Sequence, residues 1–388
     1  MSSCPPSGRR APVDAGLTLI ELLVASAVAA ILIVAVYYVY TATTQGYRLQ
    51  GQMMGAMQQA RFGLDQLQRD LSSAGFLATP SATADNSVCP KPLQRLPGVV
   101  FSVAGDVHNP TRNDNVHPQA VTMLGAFWSP AIFYTHNIDG ATVTLLDGVA
   151  SGGTFPQSQD EFTRLFRSPR FLRIVNADQF EMYLPIASAD YANRTITLSS
   201  NVPLTAPPGS CGLQGHGVGL EVSVAGYVRY LLSGDPSTDP NEDPGKIDLI
   251  REEIDGNDPD LDTVVRNSTL RVAEYVVDLE FTDFTFDIGQ VGQAPQMQQV
   301  ATLAAVNAST ERTLDTSAQA RPQDLRFVTA ILTTRTQHED ESFLFRQRTT
   351  ANVPLESYDL DPTMVGSAHT VALASRVGLP SFLVRNVK

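Results

Sequence analysis

A single carboxylate, Glu21, sits inside a stretch that is otherwise apolar in character from Leu17 to Ile33 and that begins directly after Gly16. A charge placed in hydrocarbon costs roughly 2.5 kcal/mol or more at a helix centre, so such a residue is normally kept for function. The segment ahead of it, Met1 to Gly16, is short and polar and carries Arg9 and Arg10. A conventional secretory signal has its apolar core before the cut. Here the apolar stretch follows the glycine, so a cut at Gly16 would leave that stretch in the mature chain.

Other residues that could do chemistry are fewer. Asp239-x-Asn241-x-Asp243-x-Gly245 places oxygen donors at alternate positions, as a calcium ion requires. In an EF-hand register the glycine would fall at Pro244 and the closing glutamate at Ile250, so the register fails. A solvated acidic loop is the expectation, with Asp239, Asn241 and Asp243 left as the calcium candidates. Gly212-x-x-Gly215-His216-Gly217-x-Gly219 is glycine-rich, yet it neither follows a clear strand nor opens a helix, as a phosphate cradle must. It reads as a turn beside Cys211. There is no nucleophile elbow, no H-E-x-x-H and no paired carboxylates with a histidine, and the six histidines are scattered singly. The expectation is a protein that is not an enzyme and has no cofactor. Trp128, in Gly125-Ala-Phe-Trp-Ser-Pro, reads as core or as a strand end.

The elements that must position Glu21 begin with one long helix. Leu17 to about Ala74 contains no proline, Gly75 is a natural stop, and Pro80 follows. About 58 residues at 1.5 Å each make a rod of roughly 87 Å, whereas about 20 residues span a bilayer. Leu49, Met53, Met57, Ala60, Leu64, Leu67 and Leu71 are spaced by three and four, a single stripe along a helix. That stripe could be a seam with another protein or could dock on the chain's own sheet, and docking is the expectation. From Val99 the pattern changes to short β-prone runs: 99–103, 141–146, 171–175, 179–184, 194–198, 220–232, 246–251, 272–287 and 324–334. Alternation in Val222-Ser-Val-Ala-Gly-Tyr-Val-Arg-Tyr230 and Leu279-Glu-Phe-Thr-Asp-Phe-Thr-Phe286 marks a sheet with one wet face. Strands do not alternate with helices, which argues against a doubly wound parallel sheet. The fold expected is α+β: a long N-terminal transmembrane and amphipathic helix packed on a large antiparallel β-rich head.

The chain has 388 residues and a formal net charge of −13. So acidic a surface repels nucleic acid unless bases cluster, and there is no basic run. Two stretches read as insertions. Residues 235–262 hold eleven acids, two bases and four prolines, and are expected as a solvated loop around a short strand. Residues 289–322, rich in Gln, Ala, Ser and Thr, are expected as a mobile loop or a short exposed helix.

The order of basic leader, Gly16 and then Leu17-Thr-Leu-Ile-Glu21-Leu-Leu resembles the type IV prepilin and pseudopilin signature. Leu17 stands where many relatives carry Phe. Three further blocks resemble the PilW branch of minor pilins, with kinship to the J-type pseudopilins of type II secretion: 226–251, Val272-Ala-Glu-Tyr-Val-Val-Asp-Leu-Glu-Phe281, and Pro322-Gln-Asp-Leu-Arg-Phe-Val-Thr-Ala-Ile-Leu332. The closing Phe382-Leu-Val-Arg-Asn386 is similar to the same branch.

The resemblance implies a leader at 1–16, a transmembrane and fibre-core helix at 17–45, its amphipathic half at 46–78, and a head at 79–388. It implies cleavage between Gly16 and Leu17 by a prepilin peptidase, methylation of the new Leu17 amine, and pairing of Glu21 with the terminal amine of a neighbouring subunit. A minor pilin that primes assembly at or near a pilus tip follows. It would start in the inner membrane with its head in the periplasm and end in the fibre at the cell surface. Its partners would be other minor pilins, the major pilin, the assembly platform and a tip adhesin. The rivals are a J-type pseudopilin capping a periplasmic pseudopilus and a DNA-uptake minor pilin, the latter opposed by the acidic charge. Cys4 would leave with the leader. Cys89 and Cys211 would then face a compartment in which disulfides persist, and one bridge between them is the expectation, with two separate thiols as the alternative.

Overall fold

The computed structural model describes residues 18–79, 88–89, 96, 98–103, 113, 116, 118–203, 212–213, 215, 217–234, 246–258, 260–287, 294–300, 324–348, 353–361, 363 and 365–382. The chain divides into two units, Met1–Gln52 and Met53–Lys388. The first unit's described part is helix. Helix α1 is continuous over Leu19–Ser73, and within residues 19–40 every side chain is exposed. A helix that is apolar all round belongs in a protein core or a membrane. Helix α1 is long and apolar enough to cross a membrane.

In the second unit the rest of α1 lies on the head. Ala56, Ala60, Gly63, Leu64, Leu67, Asp70 and Leu71 are buried. The expected stripe therefore docks on the chain's own sheet, but only from about Ala56. Met53 and Met57 remain 37% and 38% exposed. Each buried leucine contributes about 1.5–3 kcal/mol relative to exposure. The helix ends where Gly75 adopts a φ of 74°, a left-handed position that a side chain would strain. Gly75 N donates to Leu124 O at 2.8 Å, tying the exit to the sheet.

Among the described residues the strands form two sheets. The larger contains β1 (Val88–Cys89), β2 (Val99–Val103), β3 (Gln119–Gly125), β4 (Ile132–Asp139), β5 (Thr142–Ser151), β6 (Phe171–Val175), β7 (Glu181–Asp190), β8 (Thr195–Leu198), β9 (Glu221–Ser233), β10 (Asp248–Ile254) and β11 (Leu270–Ala273). The smaller runs β13-β12-β14-β16-β15, with β12 at Val276–Asp287, β13 at Met297–Val300, β14 at Leu325–Arg335, β15 at Ser357–Tyr358 and β16 at Ala368–Gly378. All pairs are antiparallel except β1 with β7. A short helix, α2 (Gln159–Leu165), is capped by the Ser158 side chain. The α+β expectation holds.

β9 organises the head because its length lets it serve several neighbours. It pairs with β4 and β6 through Glu221–Ala225, and with β3 and β10 through Gly226–Ser233. Val222 and Val224 belong to one apolar cluster, Ala225 and Tyr227 to a second, and Val228, Tyr230 and Leu232 to the one beneath α1.

Three expectations need amendment. The run from Leu279 to Phe286 does not alternate throughout, because Phe281 and Phe284 are three apart and both buried. A bulge between Thr282 and Thr285, with Asp283 at φ 52°, absorbs the extra residue and returns both rings to one face. The acidic stretch 235–262 contains the expected strand, but its described part is solvated only in places, with Asn257, Asp260 and Asp262 exposed. It supplies β10, paired over seven residues with β9, and Glu252 and Glu253 are buried against arginines. Within 289–322 the described part includes β13, an exposed strand on the edge of the smaller sheet.

Candidate functional site

Gly16 and Leu17 lie outside the described residues, so the site begins at Thr18. Thr18 precedes the first helical residue and Glu21 is three residues on. Thr18 N donates to Glu21 Oε2 at 2.9 Å, and Thr18 Oγ1 donates to the same oxygen at 2.8 Å. Glu21 N in turn donates to Thr18 Oγ1 at 3.3 Å. This reciprocal arrangement is a capping box, which satisfies two of the amide groups that a helix start leaves unpaired. The sequence signal was present as Thr18-Leu-Ile-Glu21 but was hidden by the apolar residues around it. In a single subunit the carboxylate is therefore held against its own helix start. Its position also puts negative charge at the positive end of the helix dipole.

A second constellation, absent from the sequence reading, fixes the lower half of α1. Asp70 lies on the buried face, and its Oδ2 accepts from Tyr230 Oη and from Arg251 Nε, each at 2.7 Å. Burial, reinforced by the Asp70 charge, pushes the Tyr230 phenol above its ordinary value. Burial works against the charge on Arg251, but Asp70 outweighs it and holds the guanidinium above its usual pKa. Tyr230 lies on β9 and Arg251 opposite it on β10, so one helix residue engages two paired strands. The sequence signal was weak, since Asp70 follows Arg69 and reads as surface charge.

A third network holds the chain just past the helix. Thr79 Oγ1 donates to Glu181 Oε2 at 2.5 Å, Tyr183 Oη to the same atom at 2.8 Å, and Arg173 Nη2 to Glu181 Oε1 at 2.9 Å. Burial raises the Tyr183 pKa. Trp128 sits partly buried with the Arg170 guanidinium 3.8 Å from its ring centroid, and its Nε1 donates to Glu253 Oε1 at 3.1 Å. These groups join elements of the head.

Cys89 is described only through its place in β1, where it pairs with Met182. Cys211, Asp239, Asn241 and Asp243 lie outside the described residues.

With this geometry established, the comparisons with known proteins bear on one end of the chain. Residues 13–37 match the prokaryotic N-terminal methylation motif. No curated protein and no solved structure matches the chain. The motif implies prepilin peptidase processing, assembly with other pilins and membrane anchoring by the apolar helix, and it suggests a structural role. The N-terminus indicates a type IV pilin-like or pseudopilin-like precursor.

Proposed function

We propose that this chain is a minor pilin that primes type IV pilus assembly and sits at or near the fibre tip. The observation that carries the reading is the conjunction of the methylation motif with one carboxylate, Glu21, at the start of an exposed apolar helix. Residues 1–16 are the leader, 17–45 the membrane and fibre-core helix, 46–78 its amphipathic half and 79–388 the head. Leaving lipid for a bundle of like helices, Glu21 exchanges its capping partners for the methylated Leu17 amine of a neighbour. Both charges are then desolvated, and a buried pair of that kind sets register more than it adds strength. The head is too bulky for close repetition along a shaft, which favours the tip. It makes contact there with other minor pilins, the major pilin and an adhesin.

A disulfide between Cys89 and Cys211 belongs to the same reading. Val88 pairs with Glu181, which pairs on its other side with Val175. Asn176, next along, donates from Nδ2 to Gly212 O at 2.8 Å. The neighbours of both cysteines thus attach to one corner of the larger sheet. In the chain-entropy model a bridge closing so long a loop contributes roughly 4.7 kcal/mol.

Mass analysis of the chain recovered from fibres and membranes tests both statements. The mature protein should begin at N-methylated Leu17, with Cys89 and Cys211 in one linked peptide. Gly16→Arg should leave uncut precursor in the membrane, and Glu21→Ala should be cut normally yet enter fibres poorly. An intact Met1 on fibre-borne protein would sink the reading. Recovery only with a secretion apparatus would move the chain to the J-type pseudopilins.

A further inference from the structure

The two faces of the smaller sheet are covered differently. On one face Leu279 and Phe281 of β12, with Ala330 and Leu332 of β14, join the apolar cluster that holds Leu64, Leu67 and Leu71 of α1. By the alternation of a strand, Asp278 and Glu280 point to the other face. There they meet a strap, the chain between β14 and β16, described at residues 336–348 and 353–361. Leu355 and Tyr358 of the strap cluster with Val277 and Ala368. β15 pairs with Ala368 and His369, and Asp359 N donates to Asn113 Oδ1 at 3.0 Å.

Arg348 carries the strap's charged hold on β12. Its Nη1 donates to Asp278 Oδ2 at 2.7 Å and its Nη2 to Glu280 Oε1 at 2.6 Å. The side chains of Arg348 and Asp278 are each 3% exposed and that of Glu280 is 13% exposed. Two carboxylates, two residues apart on one strand, thus share one guanidinium away from water. The second Asp278 oxygen, Oδ1, is buried and meets no hydrogen-bond donor among the described residues. An ionised oxygen so placed is costly, whereas a carboxylic acid there is not. Two like charges side by side add to the advantage of keeping one proton.

The same direction follows from the electrostatics. Burial first, then the Glu280 charge, pushes the Asp278 carboxyl up to about 7 against the pull of Arg348. The other titratable groups here come from β14, β15 and β16. Arg335 of β14 donates from Nη1 to Thr336 O at 2.9 Å and Gln337 O at 3.0 Å. The Tyr358 phenol of β15 is pushed up to about 12, chiefly by burial, with Asp278 and Asp359 adding to the rise and Arg335 opposing it. His369 of β16 pairs with Asp340 of the strap at 3.2 Å.

We propose that Asp278 and Glu280 hold one proton between them while the strap is fastened, and that losing this proton to water loosens residues 353–361 from the smaller sheet. The strap is then a pH-sensitive fastening that tightens as the surroundings acidify. The sign follows from linkage, because the fastened state binds a proton at pH values where a hydrated aspartate has lost its own. The contribution is complete below the ordinary value of 3.8 and is lost as pH rises through about 7. Loosening would uncover the face of β12 that carries Val277, Asp278 and Glu280.

The test uses the full chain and two readouts. Hydrogen exchange of the peptide covering residues 353–361, divided by the intrinsic rate at each pH, reports strap opening. Between about pH 5 and about 7 opening should rise about tenfold per pH unit and then level off. Asp278→Asn, a neutral mimic of the acid, should abolish that rise and keep the strap at about pH 8 as protected as the wild type at about pH 5. The His369–Asp340 pair is intact in both proteins, so its titration cancels in the comparison. Infrared difference spectra between the same two pH values should show a carboxylic acid band that Asp278→Asn lacks. Equal pH dependence of opening in the two proteins, or no such band in the wild type, overturns the proposal. Should Asp278→Asn fail to fold, Glu280→Gln decides. It removes the like charge, so the transition should move to lower pH, and a transition that stays in place overturns the proposal as well.

Discussion

The upper and lower parts of α1 belong to one uninterrupted helix, yet they solve opposite problems. Residues 19–40 are apolar around the whole circumference and exposed. Residues 56–71 keep their apolar groups on one face and bury them on the head, with one carboxylate, Asp70, near the end of that face. The difference shows that helix continuity says nothing about environment. What separates the two parts is the angular spread of apolar side chains and the place given to a single acid. Glu21 caps the helix from its own first turn, whereas Asp70 reaches across to two strands.

The sharpest way to break this comparison is to put a charge into each part. Leu67 is fully buried and Leu32 is 60% exposed. Leu67→Asp should destabilise the head by several kcal/mol, as expected for an unpaired buried charge. Leu32→Asp should leave the melting of the head unchanged while reducing the membrane-inserted fraction. Thermal melts and membrane partitioning of the full chain decide, and equal melting of the two variants would erase the distinction.

Asp70→Ala should come next. It takes the carboxylate away from Arg251 and Tyr230, and loss of one member of a buried ion pair costs about 3–5 kcal/mol. Chemical denaturation checks this, and a double-mutant cycle with Arg251→Met should show strong coupling. An additive cycle would mean that the pin holds nothing.

The smallest effect contrasts glycines. A Cβ at Gly63 would lie 2.7 Å from Leu332 Cδ2 and 2.9 Å from the Ala273 Cβ. Gly63→Ala should therefore destabilise by about 1–3 kcal/mol through overpacking. A Cβ at Gly55 meets nothing within 4 Å, so Gly55→Ala should stabilise by up to about 1 kcal/mol through helix propensity. Denaturant midpoints of the two variants should move in opposite directions.

The sequence made the helix legible because three- and four-residue spacing survives without knowledge of its partner. The longer β-prone runs were also readable where buried residues recur, as in β9 and β14. β16 was missed because Ala368 to Gly378 is rich in alanine and half exposed; its strand state is imposed by register with β14. β3 and β4 were missed in a region where no clear alternation stands out, although Phe133, Val121, Met123 and Leu124 are buried. The Glu21 site was visible because a charge among apolar residues is conspicuous. Asp70 was not, because nothing local distinguishes an acid that faces Tyr230 from one that faces water.

That one acid governs how the protein would behave under traction. An apolar stripe alone would let a helix slide along a sheet, since one leucine can replace another a turn away. A slip of one turn, about 5.4 Å, would draw Asp70 away from both Arg251 and Tyr230 and leave three polar groups in a dry seam. The seat of α1 is keyed rather than greased. A pull along the axis would have to be taken up by the strands that carry the keyhole, β9 and β10, of which β9 is tied to four neighbours in the larger sheet.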